Sequence, residues 1–219
     1  MSKSKIDWCD ETWNPIVGCK RGCGYCYARD LHNKRHEAFK RGRLQNMPQY
    51  TMSFDKIQFI TSRLEKPCTT KKGKVIFVGS SSDPEYWNPV HFSKIIAVCK
   101  RHKQHTFMFL TKNVASYSLF DFPGNCMLGL TTTWEDWTVD HYALKKFCVD
   151  YKENRKFVSM EPLLGEYLPT SYINDLELVI VGAMTGFNSV IAQKKWISKI
   201  DANIPAEKIL WKKNIEKYI

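Results

Sequence analysis

The chain is 219 residues long, 43% hydrophobic and 13% aromatic, enough bulky apolar material for a real core, which excludes a wholly disordered or collagen-like polypeptide. With 33 Lys and Arg against 22 Asp and Glu, the net charge of +11 is expected to attract polyanions, nucleic acid being the first candidate partner, the alternative being lysines that only keep helix faces solvated. The apolar runs fall far short of the ~20 residues of a membrane helix and Met1 leads into no export-type segment, so no membrane partner is expected and the expected compartment is the cytoplasm.

In chain order, a short strand is expected before Cys19, followed by a helix after Cys26. The stretch 42–74 is polar, carries Pro48 and Pro67, and reads as an insertion. Continuous apolar runs at 75–78, 106–110, 127–130, 156–159, 178–181 and 208–211 read as strands covered on both faces, as in a parallel sheet. Between them, a helix beginning near Pro89 buries Phe92, Ile95, Ile96 and Cys99. A second helix, capped by Thr133 with Asp136, buries Trp137, Leu144, Phe147 and Cys148. A third starts at Ser189 and buries Trp196, Ile197 and Ile200. The alternation predicts an α/β fold: one domain over 1–219, a partial or complete parallel barrel of about six to seven βα units, with an open doubly wound sheet as the alternative.

Several runs are followed at once by small or polar residues: Gly79 to Asp83, Thr111 and Lys112, Thr131 to Thr133, Glu161, Gly182 and Thr185, Lys212 and Lys213. Ligands of parallel α/β folds bind at the carboxyl ends of the strands, so these residues are expected to ring one mouth.

Cys19, Cys23 and Cys26 stand in a C-x3-C-x2-C spacing with Gly22 and Gly24 between them. Three thiolates on a glycine-loosened loop can wrap one metal centre. Structural zinc needs a fourth ligand, for which Cys9, His32 and His36 are candidates. A cubane iron–sulfur cluster can use three thiolates and keep one iron open. Cys99 and Cys148 read as core residues, while Cys68 and Cys126 are unassigned.

This cysteine spacing, with Tyr25 just before Cys26, resembles the signature of the radical S-adenosylmethionine superfamily. Further segments resemble a family of phage and bacterial three-cysteine proteins of uncertain function, many of which have a longer gap between the first two cysteines. They are Thr12-Trp13-Asn14-Pro15, Cys26-Tyr27-Ala28, Ile76-Phe77-Val78 with Ser80 to Asp83, Leu110-Thr111-Lys112, Leu128-Gly129-Leu130, the run 157–165, and Val179 to Gly182. The resemblance implies a βα barrel with the cluster loop after its first strand. It also implies a [4Fe-4S] cluster on Cys19, Cys23 and Cys26, S-adenosylmethionine on the open iron, and an external electron donor. The activity implied is reductive cleavage to a 5′-deoxyadenosyl radical that takes a hydrogen atom from the substrate.

Carried over by position, Tyr25 is expected near the adenine, the alternative being a plain core aromatic. Ser80, Ser81, Ser82 and Asp83 fall where the superfamily contacts the methionine amino group, the alternative being a turn that caps a helix. Lys112 is a counter-ion for the methionine carboxylate or a solvated loop lysine. Thr131 or Thr133 is expected to bond the ribose, Glu161 the ribose hydroxyls or a substrate group, and Gly182 and Met184 the adenine through backbone groups.

Basic clusters occur at Arg29, Lys34, Arg35, Lys40, Arg41 and Arg43, at Lys71, Lys72 and Lys74, at Lys100, Arg101 and Lys103, and at Lys212 and Lys213. Trp87, Trp134 and Trp211 near strand ends are candidates to stack an extruded base, the alternative, and the more frequent case, being core or rim aromatics. The leading expectation is a radical enzyme acting on a nucleobase or nucleotide, by resemblance a modified base of phage DNA in the host cytoplasm. The alternatives are a radical enzyme acting on a small metabolite or peptide, and a non-catalytic nucleic-acid-binding protein stapled by zinc.

Overall fold

The computed structural model describes residues 2–4, 6–69, 71–186 and 189–219. The strands are β1 (Ser2–Lys3), β2 (Glu11–Trp13), β3 (Ile16–Val17), β4 (Gln58–Phe59), β5 (Val75–Val78), β6 (Thr106–Thr111), β7 (Cys126–Thr132), β8 (Arg155–Met160), β9 (Leu178–Val181) and β10 (Ile209–Trp211). The helices are α1 (Tyr27–Lys40), α2 (Pro89–Arg101), α3 (Trp137–Asp150), α4 (Lys194–Asn203) and a single turn, α5 (Lys213–Glu216).

Among the described residues, eight strands form one sheet in the order β1-β2-β5-β6-β7-β8-β9-β10. Only β1 pairs antiparallel, so the seven strands from β2 to β10 run parallel and curl into a half-barrel, open between β1 and β10. The fold is therefore a partial parallel βα barrel.

Strand alternation divides the apolar residues between two cores. Ile76, Val78, Phe107, Phe109, Leu128, Val158 and Val179 face the helices, where they meet Phe92, Ile95, Leu144, Phe147, Trp196 and Ile200. Phe77, Met108, Met127, Phe157 and Ile180 fill the concave side, covered by Trp8 from the β1–β2 loop, whose ring lies 4.5 Å from that of Phe77. At Gly129 in β7 a Cβ would come 2.3 Å from Phe157 Cζ, so glycine there lets the Phe157 ring cross the barrel interior.

Among the described residues, the stretch 42–74 adds no strand to this sheet. It forms 3-10 turns at Pro48–Tyr50, Thr61–Arg63 and Lys66–Thr69, and its β4 pairs antiparallel with β3 beside the barrel.

Four local expectations are corrected. Trp137 stands at the first position of α3, two turns before Leu144, and is 52% exposed rather than buried. Asp136 alone caps α3, accepting from the Thr138 and Val139 amides, while the Thr133 amide donates to Asp140 at 3.0 Å. The helix expected from Ser189 begins at Lys194, because the β-branched Val190 and Ile191 disfavour a first turn. Trp87 and Trp134 are core residues, 6% and 2% exposed, and cannot stack a base as placed, while Trp211 is half-buried against the same core. Among the described residues, no helix is long and apolar enough to cross a membrane.

Candidate functional site

The loop after β2 is pinned from two sides before it reaches the cysteines. The Asn14 amide group donates to Ser80 Oγ at 2.9 Å, and its carbonyl accepts from the Ser81 amide at 3.2 Å. Gly18 has φ 103°, and a Cβ there would lie 2.4 Å from the Lys56 carbonyl oxygen, so the close approach of the insertion requires glycine. Its N–H donates to Ser81 O, and the Cys19 N–H donates to Phe54 O at 2.8 Å. Cys19 is thus held between the insertion and the turn after β5. Cys26 is the N-cap of α1, and its thiol accepts from the Arg29 amide at 3.4 Å. A helix N-terminus favours negative charge, which suits a thiolate.

Cys19, Cys23 and Cys26 are half-buried free thiols that open onto one cavity of about 380 Å³ at the carboxyl ends of the parallel strands. Tyr25, Ser80, Ser82, Asp83, Lys112, Thr131, Glu161 and Met184 line the same cavity. Ser81 faces a neighbouring hollow instead. Gly182 lies behind the wall with its backbone engaged, its N–H donating to Met160 O and its C=O accepting from Leu163, so the expected backbone approach to a base falls to Met184.

The turn after β5 is busy with its own structure. Asp83 Oδ1 accepts from Thr111 Oγ1 at 2.6 Å and from the Glu85 amide at 3.0 Å, and Oδ2 accepts from the Lys112 amide at 3.2 Å. Asp83 therefore caps the Pro84–Tyr86 turn and ties β5 to β6. Ser82 Oγ accepts from Trp87 Nε1 and donates to Ile16 O, while Ser80 O accepts from the Tyr27 hydroxyl at 3.1 Å.

Of the three cations that line the cavity, Arg21, Lys112 and Lys212, the first and last pair with Glu85 and Glu161, and Lys112 differs. Its Nζ donates to the Tyr25 hydroxyl at 3.0 Å and lies 5.2 Å from that ring's centroid. No carboxylate among the described residues lies within ion-pair distance of it. Burial pulls its pKa below the ordinary value, against the opposing charges of Cys23 and Asp83. Burial likewise raises the Tyr25 phenol above its usual range and pushes the Cys19 thiol up to about 11, with Asp83 and the other two thiols adding to the latter. Glu161, whose peptide bond to Pro162 is cis, pairs with Lys212 across the strand ends.

Residues that local sequence signals did not single out are Arg21, Ser159, Asn214 and Trp8, all lining the cavity. Ser159 was accessible in principle, since period two places it on the face of Glu161. Trp8 had no periodic signal. Its indole Nε1 is buried without a hydrogen-bond partner among the described residues.

None of the candidate fourth zinc ligands lines the thiol cavity. Cys9 donates to Ser4 Oγ, His32 Nε2 donates to Met52 O at 2.9 Å, and His36 Nδ1 donates to Tyr50 O at 2.7 Å. Cys99, Cys126 and Cys148 are buried elsewhere, and the Cys68 side chain lies outside the described ones. Among the described residues, no three Cys, His, Asp or Glu side chains converge as a single metal ion would need, with ligands at ~2.0–2.3 Å from one point. A multinuclear cluster seats each thiolate on its own iron, so its ligands stand further apart than those of one ion. Three half-buried free thiols lining one cavity are the donor set that such a cluster takes.

No curated protein and no solved structure matches the chain. A family model described as Protein of unknown function (DUF5131) matches residues 3–213. A match over nearly the whole length shows the family, and the chain belongs to it.

Proposed function

We propose that the protein is a radical S-adenosylmethionine enzyme acting on a nucleobase or nucleotide. The observation that carries this reading is the opening of all three thiols of the C-x3-C-x2-C loop onto a strand-end cavity that also holds Lys112, a lysine bonded to Tyr25 and without a carboxylate partner among the described residues. Cys19, Cys23 and Cys26 would hold a [4Fe-4S] cluster, which supplies an open iron for S-adenosylmethionine and the electron that splits it into methionine and a 5′-deoxyadenosyl radical.

The chain's own residues then bind, orient and shield. Lys112 offers a desolvated ammonium to the methionine carboxylate, an interaction stronger there than in water. Asp83, whose oxygens are already engaged, positions the Lys112 backbone and keeps β5 and β6 in register. Ser80 and Ser82 hold the cysteine loop against this turn, and Thr131 and Ser159 present hydroxyls to a ribose from neighbouring strands. The apolar floor of Phe77, Phe157 and Trp8 excludes water, which protects a reactive carbon radical. No Ser/His/Asp constellation is needed, because the cofactor carries the hard chemistry. Free thiols suit a reducing cytoplasm, the host's if a phage encodes the chain.

Iron and acid-labile sulfide analysis of protein reconstituted without oxygen tests the cofactor assignment. Four irons and four sulfides, lost in Cys23→Ala, are expected. Colourless protein carrying one zinc would overturn it.

A further inference from the structure

A second cavity, of about 400 Å³, lies beside the first, between α1, the loop after β2 and the insertion. Tyr27, Ala28 and Ser80 line both. The Tyr27 hydroxyl donates to the Ser80 carbonyl at 3.1 Å, so this pair forms the partition between the two spaces.

The walls of this second hollow are one-sided in charge. Arg35 from α1, and Arg63 and Lys66 from the insertion, line it, and no Asp or Glu does. Among the described residues, none of these three cations has a carboxylate within ion-pair distance. Of the other arginines, Arg21 pairs with Glu85, Arg101 with Glu65 and Arg155 with Glu177, while Arg29, Arg41 and Arg43 have no carboxylate partner among the described residues and line neither cavity. Here Arg35 donates to the Tyr50 hydroxyl at 2.6 Å and Arg63 to Asn14 O at 3.2 Å, neutral partners that leave the charge uncompensated. Gln49, 7% exposed, lines the same hollow, and its side-chain amide makes no hydrogen bond among the described residues. Like charges gathered around one space repel, and an anion relieves them. Two guanidinium forks and an ammonium match the several oxygens of a phosphate better than a lone carboxylate. The Tyr27 ring at the partition, 59% exposed, offers a face on which a base or sugar can lie.

We propose that this hollow binds the phosphate of a nucleotide, free or within a single strand, and anchors it beside the thiol cavity. The phosphate site stands on its wall chemistry. Its service as the substrate anchor of a radical enzyme rests on the function proposed above.

The test uses the full chain with no added cofactor. Binding is read by fluorescence anisotropy with a labelled single-stranded dT12, by titration calorimetry with dTMP, and by competition with inorganic phosphate. Arg35→Gln/Lys66→Gln is expected to weaken binding at least about tenfold. For the oligonucleotide it should also lower the salt slope by about 1.4, two contacts at ~0.7 each. Lys100→Gln/Lys103→Gln removes the same charge from the end of α2 and is expected to change binding less than about twofold. Lys66→Gln alone, at an exposed position, should give about half the slope change, and it decides the matter if the double variant fails to fold. Binding of dTMP identifies a free nucleotide, and binding of dT12 alone identifies a strand, each supporting the site. Equal losses in the two double variants, or no binding of either probe by the parent chain, would overturn it. Because the assay holds no cofactor, its failure leaves the radical chemistry standing, and absence of 5′-deoxyadenosine would leave the phosphate site standing.

Discussion

Glu161 and Lys212 form an ion pair that reaches from the end of β8 to the end of β10, over the end of the strand between them. Gly182, at the end of that middle strand, makes the reach possible: a Cβ there would lie 3.0 Å from the Glu161 carboxyl carbon. The pair lines the thiol cavity and ties the last strand of an open half-barrel to the rest.

Removing one partner leaves the other half-buried and uncompensated. Lys212→Met is expected to cost about 1–3 kcal/mol of stability, and Glu161→Gln in the same background is expected to recover part of it. A double-mutant cycle by urea unfolding measures the coupling, and additive losses would show that the pair contributes nothing.

Lys112→Met should weaken S-adenosylmethionine binding by about 10–100-fold, the loss of a charge-assisted contact worth ~1.5–3 kcal/mol. Calorimetry on the cluster-loaded protein reads this. Unchanged affinity would return Lys112 to the role of a loop lysine whose bond is with Tyr25 alone.

Gly129→Ala forces a methyl to 2.3 Å from Phe157 Cζ and 2.7 Å from the Phe109 carbonyl oxygen. Overpacking of this kind costs about 1–3 kcal/mol. A lowered denaturation midpoint, restored in part by Phe157→Leu, is the expected outcome. A wild-type midpoint in Gly129→Ala would mean that the Phe157 ring has room to move.

His32 gives the fold an acid sensitivity. Burial lowers its pKa below the ordinary 6.5, with His36 and Arg35 adding to the shift against the bond to Met52. Below pH 6.5 the unfolded chain therefore binds more protons at this site than the folded one, so its stabilising contribution is complete above 6.5 and is lost as pH falls through the folded value. The thermal midpoint of the parent chain should fall more between pH 7 and pH 5 than that of His32→Gln. Equal slopes would show that His32 does not titrate in that window.

The sheet was legible because its strands are short continuous apolar runs: 75–78 and 178–181 coincide with β5 and β9, and the others differ by a residue or two at the ends. The gathering of polar residues at strand ends was legible for the same reason, since a parallel sheet sends every strand's carboxyl end to one mouth. Partners distant in sequence were not. Nothing near Asp83 reveals that Thr111 and the Lys112 amide will occupy its oxygens, and nothing near Glu161 reveals Lys212. The basic clusters show the same limit. Lys74 pairs with Glu11 at the amino ends of β2 and β5, and Arg101 pairs with Glu65, so neither stands at the mouth, whereas Arg35 meets Arg63 and Lys66 only through the fold of the insertion. For Trp87 and Trp134 the choice between stacking a base and packing in the core stayed open in the sequence, because position near a strand end does not say which way a ring turns, and the structure shows the core placement that large aromatics favour.

Product analysis tests most directly the proposal that the three thiols support reductive cleavage of S-adenosylmethionine. Protein reconstituted with iron and sulfide under anaerobic conditions, then given dithionite and S-adenosylmethionine, should form 5′-deoxyadenosine detectable by mass spectrometry, and Cys19→Ala, Cys23→Ala and Cys26→Ala should each abolish it. No 5′-deoxyadenosine from a fully loaded parent protein, or equal amounts from the variants, would rule this chemistry out for the three thiols.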